Sequence, residues 1–119
     1  MRMCLFLMAL LCAGPAAAQT GKDLFDQNCA SCHSLGRDSS LNGPSLRGVV
    51  WRKIASLPDF AYTPALKSAV GTWTPDRLSQ FLKNTQGFAP GTSMFFDIQD
   101  PDARRAIIKF LETNRASPN

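Results

Sequence analysis

The clearest periodic pattern lies near the C-terminus, where apolar residues recur at helical spacing. The residues that share this face are Ala103, Ile107, Phe110 and Leu111. The pattern predicts a helix that begins at Asp100–Pro101 and continues to about Asn114. Proline suits the first helical position because its fixed φ matches the helix and its missing N–H has no partner to lose there.

Cap residues predict three further helices. Thr20 and Asp23 have the spacing of a capping box, in which each side chain bonds the backbone N–H of the other residue. Thr63–Pro64 and Thr74–Pro75 each place a capping hydroxyl before a proline at the first helical position. The predicted segments are about 20–32, 64–70 and 75–84.

The rest of the chain indicates loops rather than strands. Residues 36–48 contain scattered Gly, Ser, Asn and Pro, and residues 87–92 contain the turn signal Pro90–Gly91. No convincing apolar–polar alternation is present. Because 119 residues are too few for a two-domain enzyme, we predict a single domain. The helix signals and the missing strand pattern predict that this domain is all-α, with four to five short helices. So small a core with such long loops favours a bound prosthetic group around which the chain packs.

The first 18 residues have the three regions of a secretory signal peptide. Arg2 supplies a positive charge, residues 4–13 form an apolar run, and small residues precede an expected cleavage after Ala18. The run is too short to cross about 30 Å of hydrocarbon as a helix. An uncleaved anchor or a buried helix is the alternative, whereas the bulky leucines before Cys12 argue against lipidation. The sequence therefore predicts a cleaved signal and export to the periplasm.

Cleavage leaves a domain over 19–119 with very few metal-binding side chains. Twelve basic residues face nine acidic ones, which gives a net charge of +3. The domain keeps two cysteines, Cys29 and Cys32, one histidine, His33, and one methionine, Met94. These rare residues are the candidates for the chemistry of the protein.

Cys29, Cys32 and His33 form a Cys-x-x-Cys-His motif, the attachment signature of c-type haem. Cysteines three positions apart on a helix share a face, so both thiols can add to haem vinyl groups while the histidine binds iron from the proximal side. A disulfide or a thioredoxin-type redox centre is an alternative, although the βαβ pattern of the latter is missing. Zinc is a weaker alternative because it needs four ligands.

Met94 is a candidate second axial ligand of the haem iron. A lone methionine is ordinarily core filler, but Met94 follows Pro90–Gly91 in a loop after a helix. A loop can bring a ligand to the haem face opposite His33. Ligation by histidine and methionine raises the reduction potential of a haem.

Other residues before and after the haem motif add to its significance. They are Gly21, Phe25, Gly43–Pro44, Leu46, Arg52–Lys53, Phe60–Ala61–Tyr62–Thr63, Trp73, Pro90–Gly91–Thr92 and Phe96. Together with the haem motif and Met94, these residues make the segment 20–114 resemble the class I c-type cytochromes, in particular mitochondrial and related bacterial cytochrome c. The resemblance implies a cytochrome c fold wrapped around one covalent haem c. It also implies that the first and last helices cross closely at Gly21.

The resemblance assigns further roles around the haem. The Pro44 carbonyl is expected to accept a hydrogen bond from His33 and so to fix the orientation of its ring. Arg52, Tyr62 and Trp73 are expected to donate to the haem propionates. Without the resemblance, the two aromatic residues would be interpreted as core and the arginine as a surface charge.

Three residues depart from the family pattern. Phe81 stands where a tyrosine is usual near the methionine sulfur, Leu66 where a polar asparagine is common, and Trp51 where glycine is usual. None of these changes removes a candidate iron ligand. We expect them to affect the reduction potential rather than the class of function.

The sequence predicts a periplasmic electron carrier that is not an enzyme. Its expected partners are redox proteins such as a membrane oxidase, a reductase or a dehydrogenase. We expect a monomer without nucleic-acid binding or stable membrane insertion. Two alternatives are a haem subunit or sensor that binds a small ligand after Met94 dissociates, and a thiol oxidoreductase.

Overall fold

The computed structural model describes residues 13–15 and 17–115, and most of the predicted signal peptide, with Cys4 and Cys12, lies outside them. The helices of the described part are α1 (Gly21–Asn28), α2 (Pro64–Lys67), α3 (Pro75–Lys83), α4 (Thr85–Phe88) and α5 (Pro101–Thr113). Within these residues the chain forms no extended strand, which confirms the predicted all-α fold. None of these helices has the length and apolar composition required to cross a bilayer.

The predicted caps begin four of the helices. At α1 the Thr20 hydroxyl accepts from the Asp23 N–H and the Asp23 carboxylate accepts from the Thr20 N–H, both at 3.1 Å. Thr63, Thr74 and Asp100 cap helices whose first residue is proline. The starts of these four helices were therefore predictable, because each depends on a local pairing of side chain and backbone.

Two predictions about helix length were wrong. α1 ends at Asn28 rather than near Cys32, and the Cys29 carbonyl instead closes a turn by accepting from the His33 N–H at 2.9 Å. α2 ends at Lys67 rather than at residue 70, where the backbone turns toward Gly71 with φ +110°. Both ends depend on where the following segment packs rather than on the helix sequence.

A one-turn helix, α4, begins within a segment that showed no helical pattern and enters the predicted loop over 87–92. Asn84 ends α3 in an extended conformation, and its side chain then accepts from the Gly87 N–H at 2.8 Å. One asparagine thus serves as the end of α3 and the N-cap of α4. This junction sets the direction in which the chain enters the segment that carries Met94.

The core forms where α1 and α3 pack against α5. Ile107 is fully buried at the centre of α5, and the Phe25 and Phe110 rings lie 5.5 Å apart between centroids. Gly21 permits the close approach of α1 to α5. A Cβ there would collide with the Ala106 carbonyl oxygen and lie 2.9 Å from the Phe110 Cβ.

A short antiparallel backbone pairing joins residues 51–54 to residues 71–73. The Trp51 N–H donates to the Trp73 carbonyl at 2.7 Å, and the Trp73 N–H donates to the Arg52 carbonyl at 2.8 Å. Trp51 takes a left-handed conformation, with φ +72°, to enter this pairing. The pairing places Arg52 beside Trp73, although they lie 21 positions apart in the chain.

Candidate cofactor site

The predicted site residues all line one cavity of about 410 Å³. They are Cys29, Cys32, His33, Pro44, Arg52, Tyr62, Trp73 and Met94. Apolar side chains complete the wall: Leu46, Val49, Leu66, Leu78, Phe81, Leu82, Ile98, Ile107 and Leu111. A mostly apolar cavity with a few converging polar groups suits a large flat cofactor.

The two cysteines enter the cavity from the turn that follows α1. Cys29 is buried and Cys32 is exposed, and both are free thiols. Burial raises the pKa of the Cys29 thiol to about 11, and the neighbouring Cys32 adds to the rise. A redox-active Cys-x-x-Cys pair instead requires a thiol with a lowered pKa. The raised pKa of Cys29 therefore gives no support to a reactive thiol at this position.

His33 is oriented by the segment that contains Gly43 and Pro44. Its Nδ1 lies 2.7 Å from the Pro44 carbonyl oxygen, which can only accept, so Nδ1 carries the proton in the neutral ring. Burial is the main cause that lowers the pKa of His33, while the bond to Pro44 opposes it. The neutral ring therefore keeps its lone pair at Nε2, the atom available to a metal.

Gly43 permits this arrangement of the histidine. A Cβ at position 43 would lie 2.7 Å from both Cε1 and Nδ1 of His33 and 2.8 Å from the Cys32 carbonyl oxygen. No side chain fits against the ring here without displacing it. The glycine in the Gly43–Pro44 pair thus has a packing role that the sequence alone did not assign.

Arg52, Tyr62 and Trp73 are lining residues of the cavity that carry hydrogen-bond donors. Arg52 donates through Nη1 to the Arg47 carbonyl and through Nη2 to the Ser45 carbonyl, each at 2.9 Å. Its Nε is buried and has no acceptor among the described residues. Tyr62 is also buried, and burial raises the pKa of its hydroxyl.

The unsatisfied Nε of Arg52 leaves one buried donor for a group outside the protein chain. A buried donor without a partner costs free energy that a bound acceptor would recover. A carboxylate of a bound cofactor, next to the positive charge of Arg52, would supply that acceptor. The residues present therefore fit a haem, which combines an apolar ring with two propionates.

Residues 89–98, here called the Met94 loop, form one side of the cavity and include Met94. The side chain is half-buried and packs against the hydrophobic core. Thr92 is buried, and the Gln86 side chain bonds the loop backbone. At the end of the loop, the Ile98 N–H donates to the Leu82 carbonyl at 2.7 Å.

Sequence reasoning missed the residues that support the Met94 loop. Buried Arg104 on α5 donates through Nη1 to the carbonyls of Ile98 and Gln99, at 2.7 and 2.9 Å. Asp97 accepts at one oxygen from both the N–H and the hydroxyl of Thr85. No spacing rule predicts these contacts, because they join α3, α4 and α5 to one loop in three dimensions.

Comparisons with known proteins identify the family. The family model for cytochrome c matches residues 18–115. A cytochrome c type-1 of Ascaris suum is 34% identical over 101 residues, which cover 84% of this chain and 90% of the relative. A cytochrome c-type cyt cy of Rhodobacter capsulatus is 35% identical over 97 residues, which cover 81% of this chain and 48% of the relative.

A solved structure has the same fold. Cytochrome cH from Methylobacterium extorquens aligns with a TM-score of 0.72 and 35% identity, over 78% of this chain and 94% of that one. The chain therefore belongs to the cytochrome c family, whose members bind one covalent haem c and act as electron carriers.

Proposed function

We propose that this protein is a periplasmic carrier of single electrons, with one haem c held by Cys29 and Cys32 and ligated by His33 and Met94. The observation that carries the proposal is that all four side chains line one cavity, with His33 already oriented by Pro44. A haem bound there supplies an iron that gains or loses one electron at a time.

The cysteines and the histidine have complementary tasks. Cys29 and Cys32 form thioethers that keep the cofactor attached when the fold opens. The Pro44 carbonyl fixes the proton of His33 at Nδ1 and leaves Nε2 for the iron. Because the Cys29–His33 segment is a closed turn, the attachment points and the ligand keep a fixed spacing.

Met94 and the surrounding apolar wall raise the reduction potential of the iron. A thioether ligand favours the ferrous state, and a buried apolar site disfavours the extra ferric charge. Phe81 and Leu66 line the cavity where the family has polar groups. This supports a dry pocket in which Met94 stays bound in both oxidation states.

Arg52, Tyr62 and Trp73 are the proposed donors to the propionates. Arg52 Nε has no acceptor in the described part of the chain, and two backbone carbonyls fix the guanidinium in place. The indole of Trp73 is positioned by the backbone pairing with Arg52. These residues orient the cofactor and partly neutralise its charge.

Export and partners belong to the same proposal. The signal-like first 18 residues and the family match from residue 18 support cleavage after Ala18 and a mature domain from Gln19. We propose a monomer that exchanges electrons with membrane oxidases, reductases or dehydrogenases. The intact mass of the purified protein tests cleavage and haem attachment, with the expected value being that of residues 19–119 plus one haem.

The replacement Met94→Ala tests the ligand assignment. The variant should keep its covalent haem, because attachment does not depend on Met94, but should bind cyanide or carbon monoxide readily at the open position. Ser93→Ala, at the exposed neighbouring position, is the matched control. A Met94→Ala variant that stays low-spin with an unchanged reduction potential would remove Met94 from the site. A wild-type protein that already binds carbon monoxide readily would support the small-ligand sensor instead.

A further inference from the structure

The side chain of Gln86 lies against the backbone of the Met94 loop. Its Nε2 donates to the Thr92 carbonyl at 2.8 Å and, at a longer 3.4 Å, to the Met94 carbonyl. Its Oε1 accepts from the Gly91 N–H at 3.2 Å. One N–H and two carbonyls match the acceptor and the two donors of a carboxamide, so the partners fix its orientation.

Gln86 is itself held on a well-anchored turn. It is the second residue of α4, whose first residue, Thr85, is almost completely buried. The Thr85 N–H and hydroxyl donate to Asp97 Oδ1 at 2.9 and 3.2 Å, so the far end of the loop bonds α4 as well. Asn84 caps the same turn through the Gly87 N–H. The carboxamide of Gln86 is therefore presented to residues 91–94 from a fixed base.

We infer that Gln86 is a positioning residue for Met94, which keeps the Met94 loop in the conformation that places the thioether sulfur at the iron. This inference rests on the proposed function, in which Met94 is an axial ligand. Release of Met94 requires the loop backbone at 91–94 to move, which breaks the bonds to Gln86. A competing iron ligand must therefore bind at the expense of these hydrogen bonds.

Imidazole binding to the ferric haem-loaded protein measures this contribution. In Gln86→Ala, we expect imidazole to bind about 30-fold more tightly, as two lost hydrogen bonds of ordinary strength predict. Amide hydrogen exchange at Gly91 should also become faster, by about fivefold, because that N–H loses its one acceptor. Gln80→Ala, at an exposed position on α3, is the matched control and should leave both quantities unchanged.

Gln86→Glu distinguishes the acceptor role of the Gln86 carboxamide from its donor role. The carboxylate can still accept from the Gly91 N–H, but it cannot donate to the Thr92 carbonyl. We expect Gly91 exchange close to that of the wild type, together with tighter imidazole binding. A merely structural role would instead make the two variants alike.

Two results would overturn the inference. If Gln86→Ala lowers the denaturant midpoint of unfolding but leaves imidazole affinity and Gly91 exchange at wild-type values, Gln86 stabilises the fold without positioning Met94. If the wild-type protein shows no spectral signature of methionine ligation, the proposed ligand set fails and the inference fails with it. The second result is read from the wild type before any variant is compared.

Discussion

At two positions, Gly43 and Trp51, the backbone restricts which side chain fits, and only Gly43 has the residue that its position favours. Gly43 lies against the ring of His33 and leaves no room for a Cβ. Trp51 has a left-handed conformation with φ +72°, which is unfavourable for a large side chain, and its own side chain is 60% exposed. The first position supports the proposed iron ligand, whereas the second places a large and mostly exposed side chain in an unfavourable backbone conformation.

The replacement Gly43→Ala should destabilise the haem-loaded protein by about 1–3 kcal/mol, because the new methyl group displaces His33 or the Gly43–Pro44 backbone. Denaturant unfolding measures the loss. Gly36→Ala is the matched control, since the nearest atom to a Cβ there is 4.0 Å away, and should change stability by less than about 0.5 kcal/mol. Equal effects of the two replacements would contradict the packing role of Gly43.

The replacement Trp51→Gly should stabilise the protein by about 1 kcal/mol, because glycine adopts the left-handed conformation without the Cβ penalty. Trp51→Ala keeps a Cβ in the same conformation and should give little of this gain. Thermal unfolding of the two variants provides the comparison. Destabilisation by both would mean that the exposed indole makes a contact that outweighs the strain.

The helices differ in how far local sequence determines them. α1, α3 and α5 were predictable, because a cap residue, an adjacent proline or an apolar face lies within each segment. α4 was not predicted, since it is a single turn stabilised by Asn84 and by contacts with Asp97 from the next segment. The pairing of Trp51 and Arg52 with Trp73 also escaped prediction, because it joins segments that carry no strand pattern.

In the candidate site, too, some residues are recognisable from local sequence and others only from contacts between distant segments. The Cys-x-x-Cys-His motif and Met94 were recognisable from residue types and spacing, and Arg52, Tyr62 and Trp73 only through the family resemblance. Gln86 and Arg104 could not be recognised, since a single glutamine and a helical arginine have no distinctive sequence pattern. Their roles arise only when the Met94 loop packs against α4 and α5.

The junction of α5 with the Met94 loop can be tested through Arg104. Arg104→Met should cost about 2–4 kcal/mol, because the carbonyls of Ile98 and Gln99 lose a charged donor and the Ile98 carbonyl stays buried. The matched control is Arg105→Met on the exposed side of α5, where the pair with Asp102 contributes at most about 1 kcal/mol. Equal losses of unfolding free energy in the two variants would contradict the conclusion that Arg104 stabilises the Met94 loop through the Ile98 and Gln99 carbonyls.

Charge is unevenly distributed over the whole molecule. The chain carries a formal net charge of +4, yet residues 84–103 contain no lysine or arginine and include Asp97, Asp100 and Asp102. Phe95, next to Met94, is 79% exposed. The segment that contains the Met94 loop is therefore apolar and weakly acidic, although the whole chain is basic.

This distribution predicts that electron transfer to a partner depends only weakly on salt. Electrostatic steering acts over about 10 Å at 0.1 M ionic strength and is lost as salt rises. Stopped-flow rates should therefore fall little with ionic strength, or rise with an acidic partner. Phe95→Ser should lower the rate, whereas Val70→Ser, which is equally exposed but does not line the cavity, should not. A steep fall with salt would place the docking surface elsewhere.

The central claim is that a covalent haem c is ligated by His33 and Met94 in a closed site. The absorption spectrum of the purified protein, recorded in both oxidation states with and without carbon monoxide, tests it most directly. We predict a low-spin six-coordinate haem in each state, with methionine ligation in the ferric form and no change of the ferrous spectrum on adding carbon monoxide. A high-spin haem, or a ferrous haem that binds carbon monoxide readily, would contradict the claim.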